Sequence, residues 1–219
     1  MLSQLGNEYW HNGKYADAEN AYDEALGILP EYTLALVGKG QVRAAANDLE
    51  TAAQYISKAN ARAPFTHNVI LLGDVYTRLG NIDRASQQYG LAEDGEEKLG
   101  EFHDAHRVSL YWADKGVNLD AALEIAQADY KTQKDIYAAD TLAWCLYKKG
   151  RLNEANAAID EAMRLKTSDA RILYHAGMIE IGLGNKAKGK NLLTTAIKLN
   201  PSFDLIQAEN ARSTLKGLS

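Results

Sequence analysis

The chain has 219 residues and a formal net charge of −5 with a pI of about 5.6, so it lacks the basic surface that non-specific nucleic-acid binding requires. At 46% hydrophobic and 24% charged the composition is that of a soluble globular chain, and no run reaches the roughly 18 apolar residues that span a bilayer. The single cysteine, Cys145, excludes an intramolecular disulfide and reads as a small buried helix residue.

Helical periodicity predicts a succession of helix pairs. The first spans about 1–12 and 15–29, with Ala18, Ala21, Tyr22, Ala25 and Leu29 on one stripe; the second spans about 33–46 and 49–61. Arg43 stands there at a position that is bulky elsewhere, so looser packing is expected in that pair. The third runs over 66–79 and 82–92. Glu93 to Gly100 then holds two glycines and four acidic residues, and is read as a solvated connection. Pairs follow at about 102–115 and 119–130, 137–149 and 152–165, and 170–183 and 186–199. Asn200, Pro201 and Ser202 are expected to restart a helix whose stripe is Ala208, Ala211, Leu215 and Leu218.

The pairs share one register. Ala143, Ala155 and Ala162 return 34 residues later as Gly177, Gly189 and Ala196, and the same gaps of 12 and 7 occur from Gly6, Gly40, Gly73 and Ser109. A gap of 7 covers two helical turns on one face, which places small side chains where paired helices approach most closely. Between the helices of each pair stand Gly13, Asn47, Gly80, Gly116, Gly150 and Gly184, residue types that tolerate the left-handed turn ending a helix. Pro30, Pro64 and Pro201 fall at the boundaries. A period of this length marks a solenoid, whose units bury their apolar faces on one another.

This pattern resembles the tetratricopeptide repeat. The resemblance implies an all-α, right-handed solenoid of six helix-turn-helix repeats, at about 1–31, 32–64, 65–98, 99–134, 135–168 and 169–201, closed by a capping helix at 202–216 as a single domain. Met1 would fall within the first helix, so the chain is expected to be a piece of a longer protein. Its compartment is left open, soluble and cytoplasmic unless an exported leader has been removed.

In that family the first helices of successive repeats line a concave groove. By register the rows here are His103, Tyr137 and Arg171; His106, Asp140 and Tyr174; Arg107, Thr141 and His175; Leu110, Trp144 and Met178. Aromatic, Arg and Met side chains are enriched at binding hot spots, whereas the corresponding positions of the first half carry Asn7, Trp10, Gln41, Ala44, Asp74 and Thr77. The resemblance thus implies a non-enzymatic module that binds a peptide or partner protein mainly in repeats four to six. Tyr137, Trp144 and Tyr174 would anchor the partner, Arg107, Arg171 and Asp140 would orient it, and His106 and His175 would make affinity pH-dependent near neutrality.

An assembly subunit acting through its ends or convex face, as a possible homo-oligomer, is the alternative. Small-ligand or metal binding in the groove ranks lowest: His103, His106 and Asp140 lack the paired spacing of a structural zinc site, and neither cofactor nor metal is expected. The Lys and Asn positions by which some repeat domains clamp a chaperone's terminal carboxylate hold Ser3, Asn7, Gly38, His67 and Leu71, of which only Asn7 fits.

Overall fold

The computed structural model describes residues 1–99 and 105–218, with side chains for 1–94 and 106–218. Every regular element among them is a helix. Six pairs follow in order: α1 (Leu2–His11) and α2 (Tyr15–Ile28), α3 (Thr33–Ala45) and α4 (Leu49–Asn60), α5 (Thr66–Arg78) and α6 (Ile82–Leu99), α7 (Ala105–Lys115) and α8 (Leu119–Thr132), α9 (Ile136–Lys148) and α10 (Leu152–Ala162), α11 (Ala170–Gly182) and α12 (Lys186–Leu199). A thirteenth helix, α13, covers Gln207–Gly217. The chain is an all-α helical-repeat solenoid. It divides into two compact units, Met1–Glu101 with Asn200–Ile206, and Phe102–Leu199 with Gln207–Ser219.

The small positions act as seats for large side chains. In the first unit the Tyr22 ring, wholly buried, lies where a Cβ on Gly6 would stand 2.5 Å from its Cε1, and where a Cβ on Gly38 would collide with the ring outright. Tyr89 meets Gly73 in the same way, and Ile56 meets Gly40. In the second unit Leu193 sits 2.7 Å from a Cβ on Gly177. These contacts bring each second helix close to its first, at a packing density that tolerates no added methyl. The six residues joining the helices within each pair all have positive φ, from 61° at Asn47 to 89° at Gly184.

Two charged positions that break the apolar pattern are internally satisfied. Arg43 pairs with Glu19, which also pairs with the buried Lys39 at 2.9 Å; Lys39 reaches Asp23 at 2.7 Å. Glu180, also buried, is held by Lys188 at 2.5 Å and Asn185 at 2.8 Å. The second repeat accommodates its arginine through ion pairing with α2.

Two expected boundaries move. Helix α6 continues to Leu99 through the stretch expected to be a connection; glutamate, lysine and leucine are strong helix formers, and together they outweigh one interior glycine. Conversely, no helix restarts at Pro201. Residues 201–206 form turns, because side chains capture the backbone first: Asn200 Oδ1 and Tyr15 Oη accept from Ser202 N–H, and Asp204 Oδ1 accepts from Ile206 N–H. Leu205 is buried there in the cluster of Leu49, Ile56, Leu72 and Val75. Helix α13 then packs on α12, burying Ala208 and Ala211.

Adding a methyl group should therefore have opposite effects at two glycines. Gly38→Ala drives a Cβ into the Tyr22 ring and should cost about 1–3 kcal/mol. Gly27→Ala, with nothing within 4 Å of the new carbon, should stabilise α2 by roughly 0.5–1 kcal/mol. Urea midpoints at unchanged slope measure both.

Candidate functional site

Helices α9 and α11 begin on aspartate N-caps. Asp135 accepts from Tyr137 N–H and Ala138 N–H at 2.8 Å, and Asp169 accepts from Arg171 N–H at 2.9 Å and Ile172 N–H at 3.1 Å. These caps fix the rotation of α9 and α11 and hence which side chains share the predicted rows. The described row residues meet across adjacent rows, and their side chains divide into two classes.

Trp144, Tyr174, His175, Asp140 and Thr141 are buried, Trp144 to 2% exposure. Trp144 and Tyr174, expected as partner anchors, are thus packed against each other inside the fold, their polar tips bonded to α7 and α13. Thr141 Oγ1 lies 2.7 Å from His106 Nδ1, linking α9 to α7. His175 Nδ1 donates to Asp140 Oδ1 at 2.8 Å, linking α11 to α9. The Trp144 indole stacks between His175, with centroids 4.2 Å apart, and Tyr147, at 4.9 Å, and Tyr174 tilts against it at 5.5 Å. Its Nε1–H donates to Asp114 Oδ1 at 2.8 Å.

Three residues of this network were not singled out by spacing: Asp114, Gln207 and Asn210. Gln207 Nε2 donates to Asp114 Oδ1 at 2.7 Å, and its Oε1 accepts from Tyr174 O–H at 2.7 Å and Asn210 Nδ2 at 2.9 Å. Farther along α13, Thr214 Oγ1 approaches the half-buried Met178 sulfur at 3.8 Å. Continuing the 34-residue step from Tyr174 to Ala208 would have brought the register within one residue of Gln207.

The accessible class is Arg107 and Tyr137, both exposed, with His106 and Arg171 partly so. His103 lies outside the described residues. Of the two described members of the His103, His106 and Asp140 group, His106 is turned to Thr141 and Asp140 to His175. Cys145 Sγ–H points to the Ala122 carbonyl at 3.7 Å and the Ser109 carbonyl at 3.8 Å. Burial, then the nearby carboxylates Asp114 and Asp140, push its thiol up to about 12. At neutral pH it is no nucleophile.

In the first unit the equivalent positions are likewise turned to internal bonds. Tyr22 O–H donates to Asn7 Oδ1 and Tyr89 O–H to Asp74 Oδ1, each at 2.7 Å. Trp10 is buried against Tyr15, with centroids 5.1 Å apart. Among the described residues no helix is long and apolar enough to cross a membrane.

With this geometry in place, comparison with known proteins is informative. Residues 3–65 and 170–203 each match a family model described as a tetratricopeptide repeat. No curated protein matches the chain. Solved structures share its fold. A tetratricopeptide repeat protein from Parabacteroides merdae is 18% identical, with 99% of this chain and 82% of that one aligned at a TM-score of 0.61. The Cut9–Hcn1 hetero-tetramer of the APC/C is 16% identical over 99% of this chain and 42% of that one, at 0.55. PilW, a type IV pilus biogenesis factor, is 17% identical over 96% of each chain, at 0.51. At these identities the likeness is one of fold.

Of the two histidines expected to titrate near neutrality, His106 is shifted well below it. Burial, then the charges of Arg107 and Arg171, lower His106 to about 4 against the weaker opposing pull of Asp140 and Asp135. A neutral ring also suits its contact with the Thr141 hydroxyl. The depressed value means that below about 6.5 the unfolded chain takes up a proton that the folded chain refuses, so stability falls as pH drops from 6.5 toward 4. The loss should approach roughly 3 kcal/mol, and His106→Gln should reduce the slope. Urea titrations at several pH values, with the His106 ring signal followed by NMR, measure both effects.

Proposed function

The chain belongs to the tetratricopeptide-repeat family, and from the register of its helices we propose that it is a non-enzymatic interaction module whose α7–α9–α11 face receives a peptide or partner protein. One observation carries this reading. Arg107 and Tyr137 are exposed, and Arg171 half-exposed, at the starting ends of the same three helices whose Asp140, Thr141, Trp144, Tyr174 and His175 are buried and bonded or stacked between helices. A stiff wall with guanidinium groups and one phenol at its rim suits an acidic segment of a partner, since Arg meets carboxylates in a two-pronged fork. Asp140, Thr141, Trp144, Tyr174, His175 and Met178 set the wall's shape; His106 and the rim residues meet the partner.

A second reading is supported by the first unit. Ile28 is 78% exposed, Leu29 54% and Phe65 53% at the repeat junctions, and a pocket of about 530 Å³ is lined by Leu29, Pro30, Tyr32 and Arg62. Apolar side chains so placed suit an assembly contact. Cut9–Hcn1, of the same fold, is itself a hetero-tetramer.

The two readings separate by mutation. If the rim of the second unit is the site, Arg107→Ala with Arg171→Ala should weaken an identified partner by roughly 1 kcal/mol or more and flatten the salt dependence of association. Titration calorimetry at low and high salt measures both effects. Unchanged affinity in the folded double variant, with an oligomer lost on Ile28→Asp, favours the assembly reading.

A further inference from the structure

Gln207 opens α13 and is only 4% exposed. Its carboxamide is matched on both sides by groups from other helices: the carboxylate of Asp114 on α7 takes the N–H at 2.7 Å, and the hydroxyl of Tyr174 on α11 gives its proton to the oxygen at 2.7 Å. The same Asp114 oxygen accepts from Trp144 Nε1 at 2.8 Å, so the acceptor is held in place by α9. A carboxylate put there would face the Asp114 carboxylate across a hydrogen-bond distance, and an alkyl group would neither donate to Asp114 nor accept from Tyr174. The first unit repeats this chemistry independently. The carboxamide of Asn200, also buried, donates to the Trp10 carbonyl at 2.8 Å and accepts from Tyr15 O–H at 2.6 Å.

We propose that Asp114 and Tyr174 form a carboxamide-reading seat, that Gln207 is its resident occupant, and that a partner peptide received on the α7–α9–α11 face places a glutamine there in exchange for Gln207. The inference rests on the binding role proposed above and adds the side-chain chemistry read on that face. Exchange requires only that α13 open from α12, which leaves the pairs α7–α8, α9–α10 and α11–α12 intact. Specificity follows from the pairing: a site built to bond both halves of an amide rejects a ligand that lacks either half.

The test uses the full chain with Gln207→Glu and Ala211→Asp, which empties the seat and undocks α13, together with a fluorescent peptide of residues 203–217. The folded variant should bind the peptide saturably. It should bind the same peptide with glutamate in place of glutamine about tenfold more weakly or worse, and the wild-type chain, its seat filled, should bind the glutamine peptide about tenfold more weakly. Failure of the folded variant to bind either peptide, or equal binding of both, overturns the proposal. Should the double variant not fold, hydrogen exchange on Gln207→Glu alone decides. The amides of α13 should lose protection about tenfold while α9 and α11 keep theirs, and unchanged protection of α13 overturns the seat. If the seat fails while the Arg107 and Arg171 substitutions still weaken a partner, the binding reading stands without it.

Discussion

A helix pair of about 34 residues has too little interior to hold itself together, so everything here depends on how closely adjacent helices can approach. That distance is set where a large side chain of one helix occupies the space left by a missing one on the next. Tyr22 is the clearest instance, with one ring serving Gly6 on α1 and Gly38 on α3. The ring's hydroxyl then reaches Asn7 at 2.7 Å, so a single residue joins three helices by contact and by hydrogen bond. Tyrosine suits this place because its ring is apolar and its tip is polar, and the tip of a narrow solenoid's core always emerges near a backbone or a polar side chain.

In the second unit the same constraint yields a different surface. Bringing α7, α9 and α11 close together buries the aromatic and polar side chains of their shared face, and a buried polar group without a partner costs a kilocalorie or more. The answer is a chain of reciprocal bonds: His106 with Thr141, Asp140 with His175, Trp144 with Asp114, and Tyr174 with Gln207. Each bond connects one helix to another, so the face is stiff. A stiff surface loses little entropy when a partner orders against it, which links the architecture to the binding role proposed for it.

Much of the fold was legible from spacing because the repeat constrains residue type at the points of closest approach. The six linker residues needed a backbone that only glycine or asparagine adopts readily, and the small positions needed the absence of a side chain. Both demands leave a mark in sequence. The candidate site was legible only in part: the register set Asp140 in a row with His106 and Tyr174, and Thr141 in a row with Arg107 and His175, whereas the bonds join adjacent rows, His106 to Thr141 and Asp140 to His175. The burial of these side chains was not legible. An aromatic or histidine in a groove position is the same letter whether it faces water or a bonded partner, and the deciding partners, Asp114 and Gln207, belong to no repeated position. The course of residues 200–206 was hidden for a related reason. Proline and serine after a helix are ordinary signs of a new helix start, and only the pull of Tyr15, Trp10 and the apolar cluster around Leu205 diverts the chain into turns.

The central claim is that the α7–α9–α11 face is a bonded wall closed by the last helix, and it can be measured as a coupling energy. A double-mutant cycle with Gln207→Ala and Tyr174→Phe, read from urea unfolding, removes each half of one buried bond separately and then both together. The wall predicts a favourable coupling of about 1 kcal/mol or more between the two positions. Additive effects, with no coupling beyond about 0.3 kcal/mol, would mean that the two side chains do not meet in solution and that the face stands open.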